Sequence, residues 1–279
     1  MAGHVEPLNE AHLSEVKELL LKGPADHVCL LGLLNDFGME PRPGAAPFTF
    51  YGYRESTKLE AVVFVGGGGS LLVPSLGSLG AMTEFGKELH GKVVPRSIRG
   101  EKVAVDTLMR FLATTLGALN RTERLYKCSA DDLGPLTNPT LRLATPNDLE
   151  QLLPMAAACV KEMMGVDPLA LDAKRFAAHV EARIRHQRTY VLEGPQRQLI
   201  FKVDVASRSS HGAELECLYT VPQERRMGHA ALCLGQLSRH LLSSLPRLTL
   251  RIDEGAVGLE GLARKVGYLP GRSQRFVVL

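Results

Sequence analysis

Strand and helix patterns follow one another in the second half of the chain in an order that few folds accommodate. Short apolar runs bounded by turn residues predict strands, and apolar residues spaced three and four apart predict helices. The order is strand, two helices, three strands, helix, strand, helix, strand. A strand, a helix and a second strand in one sheet indicate a right-handed parallel crossover. We therefore predict an α/β fold of the mixed-sheet (α+β) kind for residues 140–279.

The predicted elements of this half are defined by their end residues. The strands are Leu141–Ala144, Thr189–Leu192, Gln198–Val205, Ala213–Val221, Leu248–Ile252 and Phe276–Leu279. The helices are one that follows an N-cap at Thr145 or Asn147, then Ala173–Gln187 with Asp172 as its cap, Arg226–Leu242 and Leu259–Val266. The basic residues of the second helix predict a solvated face: Lys174, Arg175, Arg183, Arg185, His186 and Arg188.

The first half repeats this order in a weaker form. Its predicted helices are Glu10–Leu21, Asp26–Phe37 and Glu101–Leu116, and its predicted hairpin strands are Phe48–Tyr53 and Leu59–Val65. Gly66–Gly69, followed by Ser70, predicts a tight turn and not a phosphate-binding P-loop, because no Lys-Ser or Lys-Thr pair follows it. A stretch rich in turn formers, 129–146, separates the halves. We predict an internal duplication with two domains, 1–135 and 140–279.

Length and composition limit the functional classes. The chain has 279 residues, of which 45% are hydrophobic and 23% charged, so it resembles a globular protein of about two domains and not a disordered chain. A net charge of +3 is too weak to indicate nucleic acid as the main partner. No apolar run is long enough to cross a membrane, and the first twenty residues do not have the pattern of a signal peptide.

The cysteines and histidines add expectations about compartment and metal. Five cysteines occur singly, without C-x-x-C spacing, and argue against a disulfide framework and a structural zinc site. The histidines have no spacing typical of a catalytic metal site. We expect a cytoplasmic protein that uses no metal.

One segment has the pattern of an anion-binding turn. A predicted strand ends at Val221-Pro222, and a short loop leads to Arg225-Arg226-Met227-Gly228-His229-Ala230, where a helix begins. The first N–H groups of a helix have no partner within it, and the helix dipole adds partial positive charge. Small residues at Gly228 and Ala230 allow a phosphate to approach the main chain, and the two arginines add full charges. The segment therefore predicts an anion site, most naturally for a pyrophosphate.

This segment resembles the acetyl-coenzyme A signature of the GNAT superfamily of N-acetyltransferases. The signature, (Q/R)-x-x-G-x-(G/A), matches at Arg225, Gly228 and Ala230, and the preceding strand, the following helix and Gly267-Tyr268 also fit. The resemblance implies that acetyl-coenzyme A is the co-substrate and that an amine attacks its thioester directly. It also implies a cofactor site made of the following residues: Leu218, Tyr219, Val221, Arg225, Arg226, Met227, Gly228, His229 and Ala230.

The first half resembles the domain that precedes a GNAT domain in some bacterial two-domain acetyltransferases. The resemblance is carried by Pro24–Gly38, with Asp26 and a leucine-rich helix. That domain looks like a degenerate GNAT fold. Arg99-Gly100 is followed by Glu101 and not by a small-residue loop. The resemblance thus implies two GNAT-like acyltransferase domains in tandem, of which the second binds coenzyme A.

The candidate catalytic residues are Glu214 and Glu216. Glu214 lies eleven residues before Arg225, an offset at which some protein-lysine acetyltransferases of the superfamily have their general base. Glu216 shares its strand face, and two neighbouring carboxylates can raise the pKa of one of them. The alternative is that both are solvated strand residues. The tyrosine that often acts as the acid is replaced by Ala263, so water, Tyr219 or Tyr268 would have to serve.

Two functions follow from these residues. The first is an acetyl-coenzyme A dependent N-acetyltransferase that acts on a primary amine, either a protein lysine or a small molecule. The second is a catalytically weak acyl-coenzyme A binding module with a regulatory or protein-interaction role, which the missing tyrosine favours. Neither function involves nucleic acid or a membrane as partner. A nucleotide-binding protein is less favoured, because no P-loop lysine or acidic ribose ligand is present.

Overall fold

The computed structural model describes residues 3–74, 77–112, 119–136 and 141–279. Its strands are β1 His4–Leu8, β2 Phe48–Glu55, β3 Lys58–Gly66, β4 Ser70–Val73, β5 Ser97–Glu101, β6 Leu119–Cys128, β7 Arg142–Leu143, β8 Thr189–Glu193, β9 Leu199–Ser209, β10 Gly212–Thr220, β11 Leu248–Asp253 and β12 Leu269–Val278. Its α-helices are α1 Leu13–Leu20, α2 Val28–Phe37, α3 Leu79–Leu89, α4 Lys102–Leu112, α5 Leu149–Met164, α6 Pro168–Arg185, α7 His229–Leu242 and α8 Val257–Val266. Within the described ranges, none of these helices is both long and apolar enough to span a membrane.

The chain divides into two compact units. The first comprises residues 1–125, 252–256 and 270–279, and the second comprises 126–251 and 257–269. The C-terminal strand β12 lies in the first unit because it pairs antiparallel with β5, from Val278 opposite Ser97 to Gln274 opposite Glu101. The units therefore do not coincide with the segments 1–135 and 140–279. Residues 137–140 of the predicted linker and 113–116 of the predicted helix Glu101–Leu116 lie outside the described residues.

The first unit has a mixed sheet with strand order β1-β2-β3-β4-β5-β12. One core lies between the sheet, α3 and α4 and includes Phe85 and Leu108, and another lies between the sheet, α1 and α2 and includes Leu20 and Phe50. The parallel pair β4 and β5 is in register along all four residues of β4. A Cβ atom at Gly100 would lie 2.0 Å from the carbonyl oxygen of Val73, so the two strands are in close contact at the end of β4.

The second unit has a mixed sheet with strand order β11-β10-β9-β8-β7. Helices α5 and α6 pack with β8, β9 and β10 around a core that includes Leu152, Ile184 and Val191. The parallel strands β10 and β11 are joined through α7. The mixed-sheet prediction is confirmed.

Two local features of α6 follow from its sequence. The helix begins at Pro168 after Asp167, whose carboxylate accepts from the N–H of Leu169 at 3.0 Å. It kinks at Asp172 (φ −159°, ψ 84°), whose carboxylate accepts from the N–H of Arg175 at 2.9 Å. Asp172 therefore caps the second part of the helix, as its sequence predicts, while an extra turn precedes it.

Candidate functional site

Strand β10 diverges from its parallel neighbour partway along its length. In the described residues its pairing with β11 covers only Ala213 to Leu215. The register with β9 shifts on both sides of Glu216, and Cys217 has a left-handed backbone (φ +50°). A shift of this kind is a β-bulge, which bends the strand and re-aims its peptide groups. The main chain beyond the bulge is thus not hydrogen-bonded to β11 and can meet a ligand.

The turn after β10 presents main-chain donors at the start of α7. Arg226 (φ +65°) and Gly228 (φ +88°) both have left-handed backbone conformations, and Gly228 is the N-cap. The N–H groups of Ala231 and Leu232 donate to the carbonyl of Gly228. The N–H groups that precede them have no acceptor within the helix, and left-handed turns of this type form anion-binding concavities. The turn for which the sequence predicts an anion site therefore forms at the start of α7, and anion binding there stays a prediction.

The end of β10 and the start of α7 border one cavity of about 640 Å³. The cavity wall consists of Glu162, Phe201, Leu218, Tyr219, Thr220, Glu224, Arg225, Arg226, Gly228, His229, Ala230, Ala231, Gly258, Leu259, Gly261, Leu262 and Lys265. Its volume lies within the range usual for cofactor and small-molecule sites. A ligand in it would contact the bulged strand and the helix N-terminus together.

Charged groups of the cavity wall differ in whether they are paired. The guanidinium of Arg225 donates to the carbonyl of Thr220 (2.9 Å) and to the carboxylate of Glu162 (2.7 Å). The side chain of His229 lies 3.1 Å from the carboxylate of Glu224. Within the described part of the chain, Arg226 and Lys265 have no ion-pair partner. Arg225 therefore stabilises the turn through its contacts, while Arg226 and Lys265 are available to pair with an anion.

The cavity brings together most of the predicted cofactor residues. Leu218, Tyr219, Arg225, Arg226, Gly228, His229 and Ala230 lie in the wall. Val221 and Met227 are outside it: the N–H of Val221 donates to the carbonyl of Ile200, and the side chain of Met227 is exposed.

Helix α8 contributes a side of the cavity that the sequence analysis missed. Gly258, Gly261, Leu262 and Lys265 lie three, four and seven residues apart and so share one helical face. In the sequence, two glycines three residues apart, Gly258 and Gly261, followed by Lys265 could have indicated this side of the cavity.

The two candidate catalytic carboxylates are each paired with an arginine. The Glu214 carboxylate, 5% exposed, accepts from the guanidinium of Arg251 on β11. The Glu216 carboxylate, 27% exposed, accepts from the guanidinium of Arg183 on α6. The two carboxylates therefore do not form the like-charge pair that the strand spacing suggests, and neither is simply a solvated strand residue. Their assignment as general base stays a prediction.

A buried polar network lies beneath the bulge and was not predicted from the sequence. The ammonium of Lys202, which is 1% exposed, donates to the carboxylate of Asp204 at 2.7 Å. Asp204 also accepts from the hydroxyl of Thr189 at 2.8 Å and lies 3.6 Å from the guanidinium of Arg183. Arg183 is thus an exception to the solvated helix face that the sequence predicts. Charged residues two apart in the apolar run of β9 are the signal that could have indicated this network.

Of the two tyrosines considered as the acid, Tyr219 borders the cavity and Tyr268 does not. Ala263 is fully buried in the core. Tyr268 is also fully buried, its hydroxyl lies 2.8 Å from that of Ser238, and burial raises the pKa of Tyr268 far above its ordinary value. Burial also raises the pKa of Tyr219, whose ring packs in the core beside α5. A high pKa keeps a phenol protonated, but only Tyr219 adjoins the cavity.

Comparisons with known proteins support the fold. Neither a family model nor a curated protein matches the sequence. Solved structures do match over nearly the whole chain. A GNAT-family acetyltransferase from Colwellia psychrerythraea is 16% identical, with a TM-score of 0.58 over 99% of both chains. A tandem GNAT protein from the clavulanic acid biosynthesis pathway is 11% identical, with a TM-score of 0.60 over 98% of this chain and 97% of that one.

A Drosophila protein solved by a structural genomics consortium gives a higher TM-score, 0.71, at 14% identity over 99% of this chain and 98% of that one. The structural similarity establishes the fold. Sequence identities this low leave the substrates open. The fold expected from the signature segment is confirmed. The chain has the tandem GNAT-type fold.

Proposed function

We propose that the second unit binds acetyl-coenzyme A in the 640 Å³ cavity and transfers its acetyl group to an amine. The observation that carries the proposal is the meeting, in one cavity, of a helix N-terminus with the freed edge of a bulged strand. The first suits a pyrophosphate, and the second suits the amide groups of a pantetheine arm. Arg226 and Lys265 add positive charge for the phosphates of the coenzyme.

The strand pairing in the first unit differs from that in the second and bears on which unit binds the coenzyme. Its parallel strands β4 and β5 pair along the whole of β4 and are in close contact at Gly100, so over Ser70–Val73 they leave no opening for a pantetheine arm. In the second unit the corresponding pairing stops at Leu215. We therefore assign coenzyme binding to the second unit alone.

The general base is proposed to be Glu216 or Glu214. An ammonium acceptor must lose a proton before its nitrogen can attack, and a carboxylate can accept that proton. Glu216 is the more exposed of the two, but it would have to exchange its contact with Arg183 for one with the acceptor. We expect the Glu216→Gln and Glu214→Gln variants to bind coenzyme A normally, and only the variant that removes the base to lose rate at neutral pH.

A second candidate function is a coenzyme-binding module with little catalysis. The pairing of both carboxylates with arginines, and the burial of Ala263 and Tyr268, favour it. Such a module would use the same cavity, and its protein partner would respond to the acyl-coenzyme.

A thiol-release assay separates these functions. Acetyl-coenzyme A is offered to the full chain with a panel of amines, which includes amino acids, polyamines and lysine peptides, and coenzyme binding is measured in parallel by calorimetry. Amine-dependent thiol release supports the transferase. Binding without release above the hydrolysis background supports the module. If coenzyme A does not bind, both functions are wrong.

A further inference from the structure

A buried lysine touches the main chain of the bulge. The ammonium of Lys202 donates to the carbonyl oxygen of Cys217 at 3.3 Å, in addition to its bond to Asp204. Removing a cation from water is costly, and a buried ion pair is weak evidence of added stability, because apolar residues often replace such pairs without loss. The position of this ammonium against a peptide carbonyl suggests another role.

The contact between Lys202 and the carbonyl of Cys217 fixes the direction of the next N–H group, that of Leu218. The chain has no cis peptide bond in its described residues, so the carbonyl of Cys217 and the N–H of Leu218 point in opposite directions. Asp204, which accepts from Lys202, lies 3.6 Å from Arg183 of α6, so Lys202 holds the carbonyl on the side of the sheet where α6 packs. The N–H of Leu218 therefore points away from Lys202. Leu218 lies in the wall of the cavity and takes no place in the pairing register of β10 with β9.

The backbone at Cys217 needs such support. A residue with a Cβ atom seldom adopts the left-handed conformation seen there (φ +50°), and strained peptides persist only where the surroundings hold them. The peptide between Cys217 and Leu218 could otherwise rotate and turn its N–H into the core. The ammonium of Lys202 opposes that rotation.

We propose that Lys202 is a positioning residue that holds the Cys217–Leu218 peptide with its N–H directed at the carbonyl oxygen of a bound thioester. The inference rests on the proposed function. Attack by a neutral amine nitrogen forms a bond to the thioester carbon, and the C–S bond then breaks with its electron pair leaving on sulfur. The nitrogen gives up one proton and the sulfur takes one up, so an amide and a free thiol result. Negative charge collects on the carbonyl oxygen in between, and a fixed donor aimed at it speeds such reactions by about 10² to 10³.

Asp204 keeps Lys202 in the protonated form that this role requires. Burial is the largest single influence and lowers the pKa of Lys202, but the charge and hydrogen bond of Asp204, together with Cys217 and Cys159, raise that pKa above its ordinary value. The ammonium therefore keeps its donors at neutral pH. Thr189 contacts the same carboxylate but not the carbonyl of Cys217, which makes it a matched control position.

The test compares two non-reactive analogues by calorimetry on the full chain. One is a ketone analogue of acetyl-coenzyme A, in which a CH₂ group replaces the thioester sulfur, and the other is S-ethyl-coenzyme A, which lacks the carbonyl. We expect the wild type to bind the ketone roughly threefold to tenfold more tightly, the effect of one hydrogen bond. The Lys202→Met/Asp204→Asn variant should lose that preference but bind the ethyl compound as before. Thr189→Val should keep it.

The double variant leaves no unpaired buried charge, and circular dichroism checks that it folds. A second measurement needs no variant: the ¹⁵N-labelled amide of Leu218 should shift with the ketone and not with the ethyl compound. A double variant that still prefers the ketone, or a wild type that binds both compounds equally, overturns the inference and leaves the coenzyme site intact. A wild type that binds neither compound overturns the proposed function, and the inference with it.

Discussion

Replacing Gly228 with glutamate tests the anion site, with glutamine as the matched control. Gly228 is the N-cap of α7 and has a left-handed backbone (φ +88°). A Cβ atom there would meet nothing within 4 Å, so there is open space where either side chain begins. Both variants carry the same backbone strain, about 1 kcal/mol. They differ only in the carboxylate charge.

The size of the charge effect follows from Coulomb's law. A carboxylate on residue 228 would lie about 6 Å from a phosphate at the start of α7, and at an effective dielectric constant of about 20 the repulsion is about 3 kcal/mol. Solvent screening at this exposed position lowers it to about 2–3 kcal/mol. We therefore expect Gly228→Glu to bind coenzyme A about 30- to 150-fold more weakly than Gly228→Gln.

Calorimetry with coenzyme A at low and moderate salt measures this difference. The ratio of the two affinities should shrink as salt rises, because the charges lie at the surface. Gly228→Gln itself should bind coenzyme A no more than about tenfold more weakly than the wild type. Equal affinities for the two variants would refute the assignment of phosphates to this turn.

Three further predictions concern the charges and the core. Arg226→Ala and Lys265→Ala should each weaken coenzyme binding by about 1 kcal/mol, roughly fivefold; unchanged affinity at low salt would remove that residue from the site. Tyr268→Phe should lower the free energy of unfolding by about 1–3 kcal/mol, because Ser238 loses a buried partner, while kcat stays the same; a large fall in kcat would make Tyr268 the acid. Burial lowers the pKa of His27, so near pH 6.5 the unfolded chain binds a proton at this residue that the folded chain does not. The free energy of unfolding should therefore fall as the pH drops from 7 to 5. His27→Gln should flatten that profile in urea unfolding, and parallel profiles would contradict the reasoning.

The order of elements in the second half and the turn before α7 could be predicted because local signals specify them. A strand that ends at Val221-Pro222 and a glycine at the start of an apolar helix are enough to indicate the turn. Gly228 does adopt the left-handed conformation that such a turn requires, and its N–H lies at the start of the helix.

Strands that carry turn-forming residues could not be recognised in this way. The sequence predicts only Phe276–Leu279 as the last strand, whereas β12 begins at Leu269 and includes Pro270 and Gly271. Proline and glycine usually mark turns, and here pairing with a neighbouring strand overrides that preference.

Partners far apart in sequence could not be predicted. Glu214 and Arg251 are 37 residues apart, and Glu216 and Arg183 are 33 apart. A single sequence gives the spacing of the two glutamates on their strand but not the arginines that neutralise them. The role of Lys202 depends in the same way on the bulge at Cys217, which no local pattern indicates.

The most direct test of the account is a crystal structure of the full chain with coenzyme A bound. We predict the pyrophosphate within hydrogen-bond distance of N–H groups in the turn from Arg226 to Ala230. We also predict the pantetheine arm along the edge of β10, with its sulfur near Leu218. Coenzyme bound to the first unit, or outside the 640 Å³ cavity of the second, would contradict the account.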